Sequence, residues 1–212
     1  MDNLNGMKAY VVTMSEPRMA QFKAAWTVLD LPESSIVQWT GTKMHDKVVG
    51  VSTDQKNAVQ DAYDKGEEMV AVFEDDAVPC DNILQYLTEE INVAKDRGDG
   101  LLRIGWIDIP PNPLQGNANA KIPGTHAWVL LSRDAMKDFL DHWVPANILT
   151  TFQRMTVPVN RSSRCLFVQY NAPSDGECIS NKHYGWFASS SVLHGNTTFN
   201  TVIEALNIKQ RI

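Results

Sequence analysis

The sequence predicts an α/β fold with a mostly parallel central sheet and helices on its faces. Short β-branched or apolar runs alternate along the chain with stretches whose apolar residues recur at helical spacing, and this alternation is the mark of parallel strands joined by helical crossovers. The chain has 212 residues, enough for one domain or at most two small ones. Its composition is ordinary for a packed domain, with 43% hydrophobic and 21% charged residues.

The elements follow in order. Lys8 to Met14 (KAYVVTM) is a strand, and Arg18 to Leu29 behind the start signal Ser15-Glu16-Pro17 is a helix. A short extended piece at Ile36 to Trp39 precedes a helix from about Thr53 to Asp64. Met69 to Phe73 is a strand, followed by a helix from Asp81 to Lys95 with Asp81 as its N-cap. Leu101 to Ile107 and Ala127 to Leu131 are further strands, the second leading into an amphipathic helix from Asp134 to Trp143. Pro110 to Gly124 and Asn171 to Lys182 carry the Pro, Asn and Gly of long loops, which in compact domains are often functional. Ser190 to Leu193 reads as a small strand ending at His194-Gly195.

Charge and composition exclude several classes. A formal net charge of -6 with no basic stripe argues against a nucleic-acid partner, and any bound phosphate would need a cation to mediate it. The first residues lack a signal-peptide pattern and no run is long enough for a membrane span, so a cytoplasmic protein is expected. Cys80, Cys165 and Cys178 show no C-x-x-C spacing and suggest neither a disulfide framework nor a zinc site. Asn160 and Asn196 open glycosylation sequons, which carry little meaning without secretion.

The most informative stretch is VFEDDAVP, where Glu74, Asp75 and Asp76 directly follow an apolar strand. In open α/β sheets ligands bind outside the carboxyl ends of the strands, where Thr13-Met14, the acid triplet and Asp108 would all emerge. Adjacent carboxylates repel one another and resist burial, so they are either solvated at the start of a helix or meant to meet a cation. Carboxylates suit Mg²⁺ or Mn²⁺, ions that keep waters and need only one or two protein carboxylates beside ligand phosphates. His194, at a strand end, is either structural or completes a mixed O/N shell better suited to Mn²⁺.

The order of AYVVTM, a helix, VFEDDAVP, LLRIGW and PGTHAWVLLSRDAMKDFL resembles the GT-A glycosyltransferases, most of all family 25, the lipopolysaccharide-type transferases. It is also similar to the glycosyltransferase domains that large algal viruses carry on longer proteins, which would place it in a host cytoplasm. The resemblance covers roughly residues 8 to 143 and departs from the family where Trp128 stands in place of the usual Tyr. It implies a single GT-A-like, Rossmann-related domain over residues 1–212, with a nucleotide-sugar-binding part over about 1–110 and an acceptor and metal-completing part over about 111–212. The implied donor is a UDP-sugar, the implied cofactor Mn²⁺ or Mg²⁺, and the implied partner a glycan acceptor. Asp76 would bind the metal, Glu74 would support it through water, and His194 would be a further metal ligand. Asp75 would face the donor ribose or sugar; Thr13, Met14 and Arg18 would hold uracil and ribose, with Lys56 a weaker donor contact.

Inverting transfer needs a base for the acceptor hydroxyl. Asp175 and Glu177 are the candidates, with Asp108 in reserve; a retaining reaction would need none. Trp106, His126, Trp128 and Trp186 are either core or the border of an acceptor cleft, since aromatic rings stack on sugar faces. Two other readings remain open: a magnesium-dependent phosphohydrolase, although Val12-Thr13-Met14-Ser15 stands where a haloacid-type enzyme has its first acids, and a non-catalytic sugar-binding module. No P-loop glycine pattern is present.

Overall fold

The computed structural model describes residues 7–42, 44–107, 124–169 and 198–205. Strands β1 (Lys8–Thr13), β2 (Ile36–Thr40), β3 (Val70–Glu74), β5 (Leu101–Ile107), β6 (Gly124–Leu130) and β7 (Val159–Arg161) form one sheet in the order β2-β1-β3-β6-β5-β7. β1 pairs in parallel with β2 and β3, and β5 with β7, while β6 runs antiparallel to both of its neighbours. A two-stranded antiparallel ribbon joins β4 (Ala77–Pro79) to β8 (Phe167–Gln169). The fold is therefore the mostly parallel α/β sheet that the alternation of elements predicts.

Helices cover both faces, and the pleat explains how. Successive strand residues point to opposite sides, and the two hydrophobic clusters divide the strands accordingly. Ala9, Val11, Ala71, Phe73, Leu102 and Ile104 join α1 (Glu16–Val28) and α3 (Ile83–Asp96) through Phe22, Trp26, Leu87 and Ile91. Tyr10, Val12, Val70, Val72, Trp128 and Leu130 join α2 (Lys47–Asp64), α4 (Arg133–His142) and α5 (Ile148–Phe152) through Ala58, Val59, Met136, Phe139 and Phe152. Strands buried on both faces need apolar residues at every position, which is why they read as continuous apolar runs. The short α6 (Asn200–Ala205) adds Val202 to the α1 side.

Three local expectations are corrected. The second helix begins at Lys47, not near Thr53, because the Asp46 carboxylate accepts from the Val48 and Val49 amides. That cap outweighs the poor helix propensity of Val48, Val49, Gly50 and Val51. Asp81 does not cap α3. The position preceding α3 is Asn82, in the left-handed region at φ 56, and Asp81 instead binds the Thr198 hydroxyl at 2.6 Å and the Thr201 amide at 3.2 Å. The strand expected from Ala127 begins at Gly124. Its reversed direction follows from position, since β6 returns between two strands that both run the other way.

Candidate active site

β1 lies between β2 and β3, so the chain leaves β1 to one side and comes back on the other. The crevice at the carboxyl ends of β1 and β3 is the topological switch point, the usual ligand position in open α/β sheets. Val12 pairs with Glu74 in the β1–β3 register, which brings Thr13 beside Asp75. Asp75 and Asp76 form the turn between β3 and β4. Ala77 and Val78 of β4 are buried in the same cluster as Phe73, so the turn is pinned at both ends. Beneath it Phe73 packs against Phe22, Trp26 and Phe167, with ring centroids 5.8, 5.7 and 4.9 Å away. Full burial of one such ring stabilises by roughly 1.5–3 kcal/mol, so the turn stands on well-packed core.

The two aspartates are not solvated surface acids. Asp75 is 8% and Asp76 7% exposed. The Thr13 hydroxyl donates to Asp75 Oδ2 at 2.7 Å and accepts from the Ser15 amide at 3.1 Å. Arg18 Nη2 donates to Asp76 Oδ2 at 2.7 Å, and Arg18 Nε lies 3.4 Å from Asp75 Oδ1. Ser15 caps α1 by accepting from the Arg18 amide, which sets Arg18 in the first turn facing the acids. A pocket lined by Arg18, Gln21, Phe22, Ala25, Asp75, Asp76, Ala77 and Val78 opens beside the pair. The Glu74 carboxyl is pushed up to about 8 by burial and then by repulsion from Asp76 and Asp75, with Arg18 pulling the other way.

The structure thus brings together Thr13, Arg18, Glu74, Asp75 and Asp76. Met14 stands exposed at the rim of the same crevice. Lys56, half-buried on α2, takes part in none of the hydrogen bonds or ion pairs described for the cluster. Asp108, Asp175, Glu177, Trp186 and His194 lie outside the described residues. Among the described residues no three His, Cys, Asp or Glu side chains are grouped to hold a metal ion by themselves. Asp75 and Asp76 nevertheless fit a hard divalent cation, which takes oxygen donors and needs only one or two carboxylates when ligand phosphates supply the rest.

Three aromatic candidates are core. Trp106, His126 and Trp128 are 4%, 2% and 0% exposed. Trp128 packs on Phe139 and Phe152, each 5.3 Å away. His126 Nε2 donates to the Phe167 carbonyl at 3.0 Å, and burial pushes its ring down to about 4. A side chain at Gly105 would come within 2.7 Å of His126 Nε2, so the glycine makes room for the ring.

Sequence reasoning missed Asp54. It is 1% exposed in the second turn of α2, and its Oδ2 accepts from the Thr42 amide at 2.9 Å. Its Oδ1 has no hydrogen-bond partner among the described residues. A Cβ at Gly41 would meet Met14 Cγ at 2.7 Å and Asp54 Oδ2 at 3.0 Å, so bare backbone is needed where the β1 and β2 ends converge. An acid inside a helix gives no sequence signal; only the unfilled acceptor marks it.

No protein-family model and no curated protein matches the chain. Among solved structures it is similar to A197 from STIV, at 10% identity and TM-score 0.49, covering 78% of this chain and 86% of that one. It is similar to a glycosyltransferase involved in glycosylation of the PBCV-1 major capsid, at 8% identity and TM-score 0.42, covering 62% of this chain and 61% of that one. A Drosophila β1,4-galactosyltransferase 7 complex with manganese, UDP-Gal and xylobiose is similar at 14% identity and TM-score 0.44, covering 78% of this chain and 71% of that one. These neighbours are likenesses of architecture, and the functional reading rests on the site itself.

Proposed function

We propose that the chain is a metal-dependent glycosyltransferase that moves a sugar from a UDP-sugar to a hydroxyl of a glycan or other acceptor, in one GT-A-like domain working in the cytoplasm. The observation that carries this is the bonded set Thr13, Asp75, Arg18 and Asp76 at the switch point of the sheet, with Thr13 and both aspartates buried. Buried carboxylates need cations, and a leaving diphosphate needs the same neutralisation.

In this reading Asp76 holds Mn²⁺ or Mg²⁺ directly, with His194 as partner and Glu74 acting through water. The bound ion supplies Lewis-acid neutralisation of the diphosphate. Thr13 fixes Asp75, which faces the donor ribose or sugar, and Lys56 is a peripheral contact at most. Met14 borders the base, and the spare oxygen of Asp54 suits a ring with a single N–H to donate, such as the uracil imide. Asp175 or Glu177, with Asp108 in reserve, takes the acceptor proton if configuration inverts.

The test is incubation with UDP-sugars and Mn²⁺. Release of UDP together with sugar transfer supports the reading. Phosphate release from simple esters would favour a phosphohydrolase, and binding without turnover a sugar-binding module.

A further inference from the structure

We propose that Arg18 is an exchangeable counter-cation, whose guanidinium holds Asp75 and Asp76 in the metal-free protein and leaves Asp76 when a divalent ion binds. This rests on the functional reading above and adds to it how the site takes up its metal.

The position of Arg18 is the first indication. It lies in the first turn of α1, where the helix N-terminus already carries partial positive charge and a cation is unfavourable. The nearby carboxylates overcome that cost, because their side chains are only 8% and 5% exposed and need a positive partner. The Arg18 side chain is itself 21% exposed and borders the pocket lined by Gln21 and Ala25, so it has room to turn outward while the acids stay in place.

The geometry is that of a shared site. One guanidinium reaches Asp76 Oδ2 at 2.7 Å and Asp75 Oδ1 at 3.4 Å, bridging two carboxylates as a small hard cation would. An ion bound to Asp76 Oδ2 would stand a few ångströms from Arg18 Nη2, where two positive groups repel, so ion and guanidinium exclude each other there. Asp75 does not depend on Arg18 for its orientation, since its Oδ2 keeps the Thr13 hydroxyl at 2.7 Å. The contact to be exchanged is therefore the Asp76 one. The released guanidinium, a planar fork of donors, is suited to pair with diphosphate oxygens.

The experiment titrates Mn²⁺ alone into the wild-type protein, Arg18→Met and Arg18→Lys by calorimetry, with thermal melts in EDTA and in Mn²⁺. Exchange requires Arg18→Met to bind Mn²⁺ more tightly, by about tenfold or more, the equivalent of one modest ion pair removed from competition. In EDTA the same variant should melt below wild type, and Mn²⁺ should raise its melting temperature by more than it raises that of wild type. Arg18→Lys keeps the charge on a single-point head and should fall between the two; it carries the test if the Met variant does not fold. Wild-type binding with equal or weaker affinity in the variants overturns the exchange and leaves the metal site standing. No Mn²⁺ binding by any of the three proteins overturns both.

Discussion

The Thr13 hydroxyl donates to Asp75 Oδ2 at 2.7 Å, tying the end of β1 to the acidic turn after β3. Neither group is exposed beyond 8%, so water does not readily replace the bond between them. Thr13→Val keeps the shape and removes one donor from the buried Asp75 carboxylate. The expected cost is about 1–3 kcal/mol, read as a lower denaturation midpoint. Thr13→Ser should restore most of it, and a Val variant as stable as wild type would contradict the role.

Stability should also depend on pH through His126. Burial holds its ring at about 4 in the native state against an ordinary 6.5. Between those values the unfolded chain binds a proton that the native state does not, so stability falls as pH drops from 6.5 towards 4 and is unaffected by this group above that window. The loss is at most about 3 kcal/mol. Urea unfolding at pH 7 and pH 4.5 should show a smaller drop for His126→Gln than for wild type, and equal drops would contradict the assignment.

Trp128 belongs to the core, not to an acceptor cleft. Its indole N–H has no hydrogen-bond partner among the described residues, and its ring packs on Phe139 and Phe152. Trp128→Ala should therefore cost about 3–5 kcal/mol, and Trp128→Phe much less. An alanine variant of unchanged stability would return the ring to the surface.

Much of the frame was legible because it is local. β1, α1, β3 and β5 announce themselves through apolar runs and the Ser15-Glu16-Pro17 start. The acid triplet was legible because three carboxylates after a buried strand need a reason. What escaped the sequence is non-local or set by a single cap. The direction of β6 depends on its neighbours, the start of α2 on Asp46, and the β4–β8 ribbon on strands three residues long. The Thr13–Asp75 bond follows from the β1–β3 register, and the link from Arg18 to both aspartates from how α1 packs. No pattern within the sequence fixes either. Asp54 was hidden because its neighbours Gly41 and Thr42 lie across a turn.

Donor binding and chemistry should separate by residue. In the proposed reaction Asp175→Asn binds UDP-sugar and Mn²⁺ normally and transfers sugar roughly 10²-fold or more slowly, the effect of a lost general base. Glu177→Gln should be milder. If only Glu177→Gln slows transfer, the role moves to Glu177; if neither does, Asp108 is next, and NMR of the product anomer distinguishes an inverting enzyme from a retaining one.

The central claim is that the acids at the switch point hold a cation on which nucleotide-sugar binding depends. It is tested most directly by melting the protein with a UDP-sugar in Mn²⁺ and in EDTA, alongside Asp76→Ala. A ligand at a hundred times its Kd stabilises by about 2.7 kcal/mol, a rise of roughly 5–10 °C for a chain of this size. That rise is expected for wild type in Mn²⁺, with little in EDTA and little for Asp76→Ala in either condition. Equal rises in Mn²⁺ and EDTA, or a full rise for Asp76→Ala, would contradict it.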